Sequence, residues 1–250
     1  VIARIVGSVS GSGGDDEGGA ALADRDATSN KYIPLSAAQF TALGITAPQA
    51  IWRPGVTLSG DLIDDVGTLD LVAANAPTYQ QSVTGWSTKA VSGTAGVSNS
   101  RFSAAGADIA VTSTLQLWYV HITAGTVANL QFVEHGDARI QQVALDVTLR
   151  LRNAVNLGDT TGDHTGVHPV MVLHDVTNSR TLLFTDLEKK SITFAASTGT
   201  NVQISPSAIA EPTAVFKFLN GGEWTGAAAE VSDATAKARL EALSWTIPWS

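Results

Sequence analysis

The chain has 250 residues, a formal net charge of −8, 44% hydrophobic residues, 15% charged residues and no cysteine. This composition predicts a globular protein with a sizeable core, and it excludes disulfides, thiolate chemistry and cysteine-ligated zinc. The acidic balance argues against nucleic acid as a partner, because neutralising phosphates requires a basic stripe. No apolar run approaches the roughly 20 residues that a membrane-spanning helix needs, so no membrane span is expected.

The segment 1–33 predicts a flexible arm rich in glycine and aspartate. It carries too little apolar surface to offset the entropy lost on ordering. The acidic residues Asp15, Asp16 and Glu17 lack the D-x-D-x-D-G spacing of an EF-hand, so a linker is favoured over a calcium loop. The chain begins at Val1 rather than methionine, as expected of a processed or trimmed terminus, and its first apolar run is short for a signal peptide.

The segment 34–50 predicts a short helical connector. Residues 36–45, SAAQFTALGI, have Ser36 at the position of an N-cap and Gly44 at the position where a glycine ends a helix. The connector leads into a region of different character.

From residue 51 to residue 250 the sequence predicts one antiparallel two-sheet β-sandwich, an all-β fold. Short apolar runs rich in threonine and valine alternate with turn sequences such as NSR and ASTGT. Many short strands with few helices are typical of sandwiches and barrels. The predicted strands are 68–74, 115–123, 129–135, 139–145, 147–153, 168–176, 180–187, 191–196, 201–205 and 213–219.

Two local features complete the predicted elements. The sequence RTLLFTDLEKKSITF favours a hairpin whose tip is polar. Residues 231–243 predict a short C-terminal helix that begins at Ser232 or Asp233. Its apolar stripe consists of Ala236, Leu240 and Leu243.

The order of these segments resembles the laminin-G-like, or concanavalin A-like, jelly-roll family. IWRPGVTLSGDLIDDVGTLDL resembles the opening of such domains, LQLWYVHITAG their tryptophan-bearing core strand, and VHPVMVLHDVTNSRTLLFTDL their central hairpin. AVFKFLNGGEWTGAAAEVSDATAKARLEAL is similar to the closing strand and the helix that follows it. Similar domains preceded by a segment like 34–44 occur in tailed-phage virion and prophage proteins, so the resemblance implies a virion or extracellular location.

The chain departs from that family at two positions. Val167 replaces the tryptophan that precedes the histidine, and Glu188-Lys189-Lys190 replaces the Asp-Gly hairpin turn. The calcium ligands of family members have no residue-by-residue match here. No cofactor is therefore expected, the identity of any metal ligand is left open, and calcium is kept as the one cation considered.

The stretch GDHTGVHPVMVLHD, residues 162–175, holds three of the five histidines. His164 and His168 have the i, i+4 spacing of helical zinc ligands, but Gly166 and a proline interrupt any helix there. In a strand His168 and His174 would stand about 20 Å apart. The stretch therefore predicts a loop followed by a core strand. A loop cation site that uses Asp159 and Asp163 is the alternative.

The stretch FVEHGDAR presents residue types that are used in catalysis, Glu134, His135, Asp137 and Arg139. Glycoside cleavage needs two carboxylates on one face, about 5–9 Å apart. Glu134 and Asp137 would point to opposite faces of a continuing strand, so a hairpin turn is favoured over a hydrolase site. G-x-S-x-G and G-K-[ST] sequences are missing as well.

The remaining candidate ligand-binding residues are aromatic. Trp118 lies in the middle of a predicted strand and is expected in the core. Trp86 and Trp224, in TGWST and GGEWTG, and Tyr79, in PTYQQ, are candidate ligand-binding residues because an aromatic ring in a loop can stack on a sugar. Burial at the edge of the sandwich is the alternative for all three.

These observations predict a non-enzymatic structural or adhesion component of a phage or phage-like particle. The arm would tether the sandwich to other structural proteins of the particle or to further copies of the chain. The alternative is a secreted or cell-surface carbohydrate-binding module that recognises surface glycans. A hydrolase is the third hypothesis, and it has the least support.

Overall fold

The computed structural model describes residues 48–54, 59–84, 89–106, 111–126, 130–136, 138–143, 148–153, 155–193, 199–204, 216–243 and 245–250. The predicted arm with Asp15, Asp16 and Glu17, and the predicted connector helix 36–45, lie outside these residues. Those predictions therefore stay predictions.

The larger of two antiparallel sheets has eight strands. The strands are β1 (Ala50–Trp52), β3 (Thr78–Gln81), β4 (Ala90–Ser92), β6 (Thr114–Ile122), β11 (Gly166–Asp175), β12 (Arg180–Thr185), β13 (Lys189–Thr193) and β15 (Phe216–Thr225). Their order in the sheet is β13-β12-β11-β6-β15-β4-β3, and β1 also pairs with β15.

The smaller sheet has seven strands, which are β2 (Val72–Ala74), β5 (Arg101–Ala105), β7 (Gln131–His135), β8 (Ala138–Gln142), β9 (Leu149–Asn153), β10 (Asn156–Asp159) and β14 (Asn201–Ile204). Their order in the sheet is β10-β9-β8-β7-β14-β5-β2. The two sheets confirm the predicted all-β antiparallel sandwich. One α-helix in the described residues, α1 (Asp233–Ala242), confirms the predicted C-terminal helix.

Alternation along the strands builds the core between the sheets. In β6 every second side chain, including Trp118 and Val120, joins a buried cluster with Phe132 and Ile140 of the smaller sheet. The Trp118 ring stacks on Trp52 with ring centroids 5.4 Å apart. Trp118 is thus a core residue, as the sequence predicts.

The other face of the larger sheet is buried as well. The alternate residues of β6 and β11, such as Leu117 and Met171, form a second cluster with Leu240 of α1 and with the C-terminal tail. The Ser232 side chain caps α1 by accepting a hydrogen bond from the Thr235 N–H. Strands that are apolar on both faces read as continuous hydrophobic runs, which explains the sequences of β6 and β11.

The outer face of the smaller sheet is different. Its strands alternate buried and half-buried residues, as in β9, where the leucines point inward and the arginines outward. This face is polar, and α1 packs on the opposite side of the sandwich.

A steric prediction follows from the packing of β15. A Cβ atom at Gly221 would lie 2.6 Å from Cε3 of Trp118 and 3.0 Å from Cε2 of Phe218. Gly221→Ala is expected to lower the free energy of unfolding by about 2 kcal/mol, because overpacking forces the rings to move. Gly222→Ala, whose nearest atom would lie at 3.3 Å, serves as the control and should cost less. Equal denaturation midpoints for the two variants would contradict the packing described.

Candidate functional site

The outer face of the smaller sheet carries a row of side chains that crosses all seven strands. Each residue is the direct cross-strand partner of the next. From β10 to β2 the row contains Leu157, Arg152, Arg139, Glu134, Gln203, Ser103 and Val72. We call it the first row. Leu157 and Val72, at its ends, are 51% and 52% exposed.

A second row lies beside the first. Asp159, Arg150, Gln141 and Gln131 are successive cross-strand partners on β10, β9, β8 and β7. Arg101 of β5 stands two residues before Ser103, on the same side of its strand. Together the two rows hold four arginines, three glutamines and two carboxylates. We call this surface the polar face.

The charges of the second row are locally paired. Arg150 binds Asp159 in a two-pronged arrangement, with Nε–Oδ1 at 2.6 Å and Nη2–Oδ2 at 2.7 Å. This hydrogen bond lowers the pKa of Asp159 and raises the pKa of Arg150. Both residues therefore stay charged near neutral pH, and their charges offset one another.

The first row has an excess of positive charge. Arg139 and Arg152 are direct cross-strand partners, and Glu134 lies opposite Arg139 on its other side. The Arg139 Nε lies 3.8 Å from Oε2 of Glu134, and the two side chains are 21% and 15% exposed. Gln203 donates to the other oxygen of Glu134 at 3.4 Å. Glu134 therefore lies between Arg139 and Gln203 and contacts both.

The structure separates the residues of the stretch FVEHGDAR. Glu134 and Arg139 lie on the polar face, whereas His135 points inward and is 1% exposed. Asp137 lies outside the described residues. Glu134 and Asp159, the two carboxylates of these rows, belong to strands three positions and about 14 Å apart. The two acids also stand in different rows, so the distance between them is longer still.

His135 belongs to a polar cluster buried between the sheets. Gln116 of β6 donates to Oε2 of Glu223 of β15 at 2.7 Å and contacts Nδ1 of His135 at 3.3 Å. The His135 and His174 rings meet edge to face, with centroids 6.4 Å apart. The Thr181 hydroxyl contacts Nδ1 of His174 at 3.3 Å. This cluster links β7 of the smaller sheet to four strands of the larger one.

Burial dominates the ionisation of this cluster. It raises the pKa of Glu223 to about 7, against the opposing effect of the hydrogen bond from Gln116. It lowers the pKa of His174 to about 3, and the neighbouring His135 acts in the same direction. Near neutral pH the His174 ring is therefore uncharged.

The other two histidines of the stretch meet at the end of β11. The rings of His164 and His168 lie 5.5 Å apart. The ring nitrogens of His164 contact Gly162 O and Thr185 Oγ1. The ring nitrogens of His168 contact Thr165 O and Asp186 Oδ1. Within the part of the chain that the structure describes, no group of three histidine, aspartate or glutamate side chains is arranged to hold a metal ion.

The sequence prediction of a loop followed by a core strand holds for this stretch. The proximity of His164 and His168 arises from the loop that precedes β11 rather than from a helix. Of the two acids in the alternative cation site, Asp159 is engaged by Arg150, and Asp163 accepts a hydrogen bond from the Thr165 N–H at 2.8 Å.

The candidate aromatic residues lie in three different settings. Trp224 is not in a loop as the sequence predicts: it lies in β15, is fully buried, and has the Arg239 guanidinium 5.2 Å from its ring. That ring offers no face to a sugar. Tyr79 is half-buried in β3, its hydroxyl donates to Gly60 O at 2.6 Å, and burial raises its pKa. Trp86 lies outside the described residues.

The sequence carries one signal for the polar face. The alternation LRLRN at 149–153 places Arg150 and Arg152 on one face of a strand. Their placement opposite Arg139 and Gln141 depends on strand register, which the alternation alone does not give.

Comparison with known proteins gives likeness of structure only. No protein-family model matches the chain, and no curated protein matches it significantly. The sialidase of Trypanosoma rangeli in complex with sialic acid superposes with a TM-score of 0.60 at 11% identity, over 78% of this chain and 32% of that one. The binding domain of botulinum neurotoxin serotype G gives a TM-score of 0.55 at 8% identity, over 78% and 50%.

A third similar structure is that of botulinum neurotoxin type C, whose cell entry depends on interaction with two ganglioside molecules. Its TM-score is 0.54 at 7% identity, and the match covers 81% of this chain and 53% of that one. At these identities the likeness shows the fold, a jelly-roll-like β-sandwich. The chain spans about a third of the sialidase and about half of the toxin binding domains.

No helix among the described residues is both long enough and apolar enough to cross a membrane.

The buried cluster predicts a specific pH dependence of stability. The pKa of Glu223 in the folded protein, about 7, lies above its ordinary value of 4.5. The contribution of this carboxyl is therefore complete below pH 4.5 and is lost as the pH rises to 7. Glu223→Gln should raise the free energy of unfolding by roughly 3 kcal/mol at pH 8 and leave it unchanged near pH 4.5.

The difference in free energy of unfolding between wild type and variant isolates the effect of Glu223. The stability contributed by the neutral His174 ring is lost as the pH falls from 6.5 to about 3, and this loss affects both proteins. Glu241→Gln changes a side chain that is 49% exposed and is the control, with no pH-dependent gain expected. Chemical denaturation at several pH values measures these differences. A Glu223→Gln gain that is the same at pH 4.5 and pH 8 would show that this carboxyl does not titrate as described.

Proposed function

We propose that the chain is a non-catalytic adhesion module that binds carbohydrate on the polar face of its smaller sheet. The observation that supports this most is the first row, in which planar polar groups stand side by side across the sheet. Glutamine and guanidinium groups donate hydrogen bonds, and glutamine and carboxylate oxygens accept them. Sugar hydroxyls both donate and accept, so such a row can meet successive hydroxyls of a glycan chain.

The packing of these side chains favours binding. Gln141 and Gln203 are 5% and 9% exposed, and Arg139 and Glu134 are half-buried between their neighbours. Side chains held in place by neighbours lose less entropy when a ligand orders them. The row crosses six strand spacings, or roughly 29 Å, which gives room for several sugar rings.

The separation of the acids supports a role without catalysis. Glu134 and Asp159 lie in different rows on strands about 14 Å apart, beyond the 5–9.5 Å that the two carboxyl groups of glycosidases span. Glu134 is also engaged by Arg139 and Gln203. The sialic acid and gangliosides named for the structurally similar proteins are ligands of those proteins, and they make glycans the first ligand class to examine here.

A second proposal concerns where the module works. The order of its sequence motifs resembles sandwich domains of tailed-phage virion and prophage proteins, and the glycine- and aspartate-rich segment 1–33 suits a tether. We propose a virion-borne or extracellular module that the arm joins to other structural proteins or to further copies of the chain.

Glycan binding on the polar face predicts the effect of Gln203→Ala. Each lost hydrogen bond is worth roughly 0.5–1.5 kcal/mol, so affinity for the best glycan of an array should fall about 2- to 10-fold. Gln81→Ala, a change of the same type on β3 of the larger sheet, is the control and should bind like the wild type. A wild-type protein that binds no glycan, with or without calcium, would refute the proposal.

The same titration tests Trp86 as an alternative binding residue. Trp86→Ala, at a sequence position between β3 and β4, should leave glycan affinity unchanged if the polar face is the site. Loss of binding in Trp86→Ala together with normal binding in Gln203→Ala would move the site to Trp86.

The particle proposal predicts that a chain lacking residues 1–33 still folds but no longer incorporates. Thermal unfolding would verify folding of the truncated chain, and co-purification with assembled particles would measure incorporation. Incorporation at the level of the full chain would show that the arm is not the tether.

A further inference from the structure

We infer that the loop 160–165, between β10 and β11, is an acid-sensitive switch that is released from the β12–β13 turn 186–188 when His164 takes up a proton. This inference is independent of the proposed carbohydrate binding. It follows from the hydrogen-bond roles and the burial of the groups that join the loop to the turn. The structure describes residues 155–193 without a gap, so the loop, the turn and their flanking strands are all included.

One carboxylate holds the backbone of the loop against the turn. Glu188 Oε1 accepts the N–H groups of Thr161 and Gly162 at 2.7 and 2.6 Å. Gly162 also packs closely on the turn, since a Cβ atom there would lie 3.1 Å from Glu188 Oε1 and 3.2 Å from Leu187 Cδ1. The loop is therefore closed only while these contacts with the turn persist.

His164 makes the second connection between the loop and the turn. Its Nδ1 lies 2.9 Å from Gly162 O, and a carbonyl oxygen only accepts, so Nδ1 carries the hydrogen. In the neutral ring Nε2 is then an acceptor, and it receives the Thr185 hydroxyl at 3.2 Å. His164 is fully buried, so protein groups rather than bulk solvent must satisfy both ring nitrogens.

A second proton on the His164 ring turns Nε2 into a donor that Thr185 cannot accept. Thr185 Oγ1 already accepts the N–H groups of Leu187 and Glu188 at 3.1 and 3.0 Å, and these occupy its two lone pairs. The hydroxyl can turn to Glu188 O at 3.2 Å, but this movement frees no lone pair. The protonated ring is left with a buried donor and no acceptor, which is costly.

The surroundings of His164 also oppose its protonation. The titratable groups around it come from the loop, β11, the turn and β13, and they are Asp163, His168, Asp186, Glu188 and Lys190. Burial lowers the pKa of His164, and His168, whose ring centroid lies 5.5 Å away, lowers it further. The hydrogen bond to Gly162 O and the carboxylates of Asp186 and Glu188 act in the opposite direction, and the pKa stays below 6.5.

The direction of the pH effect follows from the lowered pKa of His164. The closed loop favours the neutral ring, so this contribution to closure is complete above pH 6.5 and is lost as the pH falls through the lower pKa of the closed state. Opening places the charged ring in water, where it needs no protein acceptor. The β11–β12 and β12–β13 ladders do not depend on the loop, so the sandwich stays folded while the loop opens.

Amide hydrogen exchange of the full chain between pH 7.5 and pH 5 tests this inference. The protection factors of the Thr161 and Gly162 amides should fall about tenfold, since each unit of pKa difference is a tenfold change in the opening equilibrium. Protected amides of the β11–β12 ladder should keep their protection. His164→Gln has no ring to protonate and should abolish the pH dependence. His121→Gln removes a half-buried histidine of β6 and is the control, with the same loss as the wild type.

The nitrogen chemical shifts of the His164 ring give a second measurement on the wild type. At pH 7.5 they should place the hydrogen on Nδ1. The midpoint of the His164 titration should coincide with the midpoint of loop opening. This comparison decides the matter even if the loop of His164→Gln is unprotected at every pH.

Four outcomes would overturn the inference. The first is constant protection of Thr161 and Gly162 from pH 7.5 to pH 5. The second is a loss of protection in acid that persists in His164→Gln, which would assign the release to a carboxylate such as Glu188. The third is an opening midpoint that follows the titration of His168 rather than that of His164. The fourth is a neutral His164 ring with its hydrogen on Nε2.

Discussion

The burial of both faces of the larger sheet is the constraint on which the rest of the structure depends. One set of alternate side chains of β6, β11 and β15 packs against the smaller sheet, and the other set packs under α1 and the C-terminal tail. The helix α1 therefore lies on one side of the sandwich, against the larger sheet. The smaller sheet has a single buried face, and its outer face, where α1 does not pack, is where polar side chains are placed in cross-strand register.

The interior is not purely apolar, and its polar part connects the two sheets. Gln116 and Glu223 of the larger sheet contact each other, and Gln116 reaches His135 of the smaller one. These contacts form only when the sheets face each other, and a buried polar group without its partner is costly. Burial also raises the pKa of Glu223 to about 7, so the neutral carboxyl is the form that the interior favours.

The sequence predicts the elements whose hydrophobic periodicity is strong. It does not predict the features that depend on strand register or on close packing. The long apolar strands β6 and β11 and the capped helix were predictable, whereas the short strands β1, β3, β4, β5 and β10 lack a clear apolar pattern. Trp224 was misplaced because glycine pairs usually indicate turns. Here Gly221 continues a strand, since only a residue without a side chain fits against Trp118. The polar face required the register of seven strands, which no local pattern provides.

The central claim is that a glycan binds across the polar face, and mapping amide chemical shifts while titrating the glycan that binds best in an array tests it most directly. The account predicts shift changes concentrated at the outward-facing residues of β7, β8, β9 and β14, including Arg139, Arg152 and Gln203, with α1 and β11 unaffected. Shift changes confined to the loops beside Tyr79, or to the α1 side of the sandwich, would contradict it.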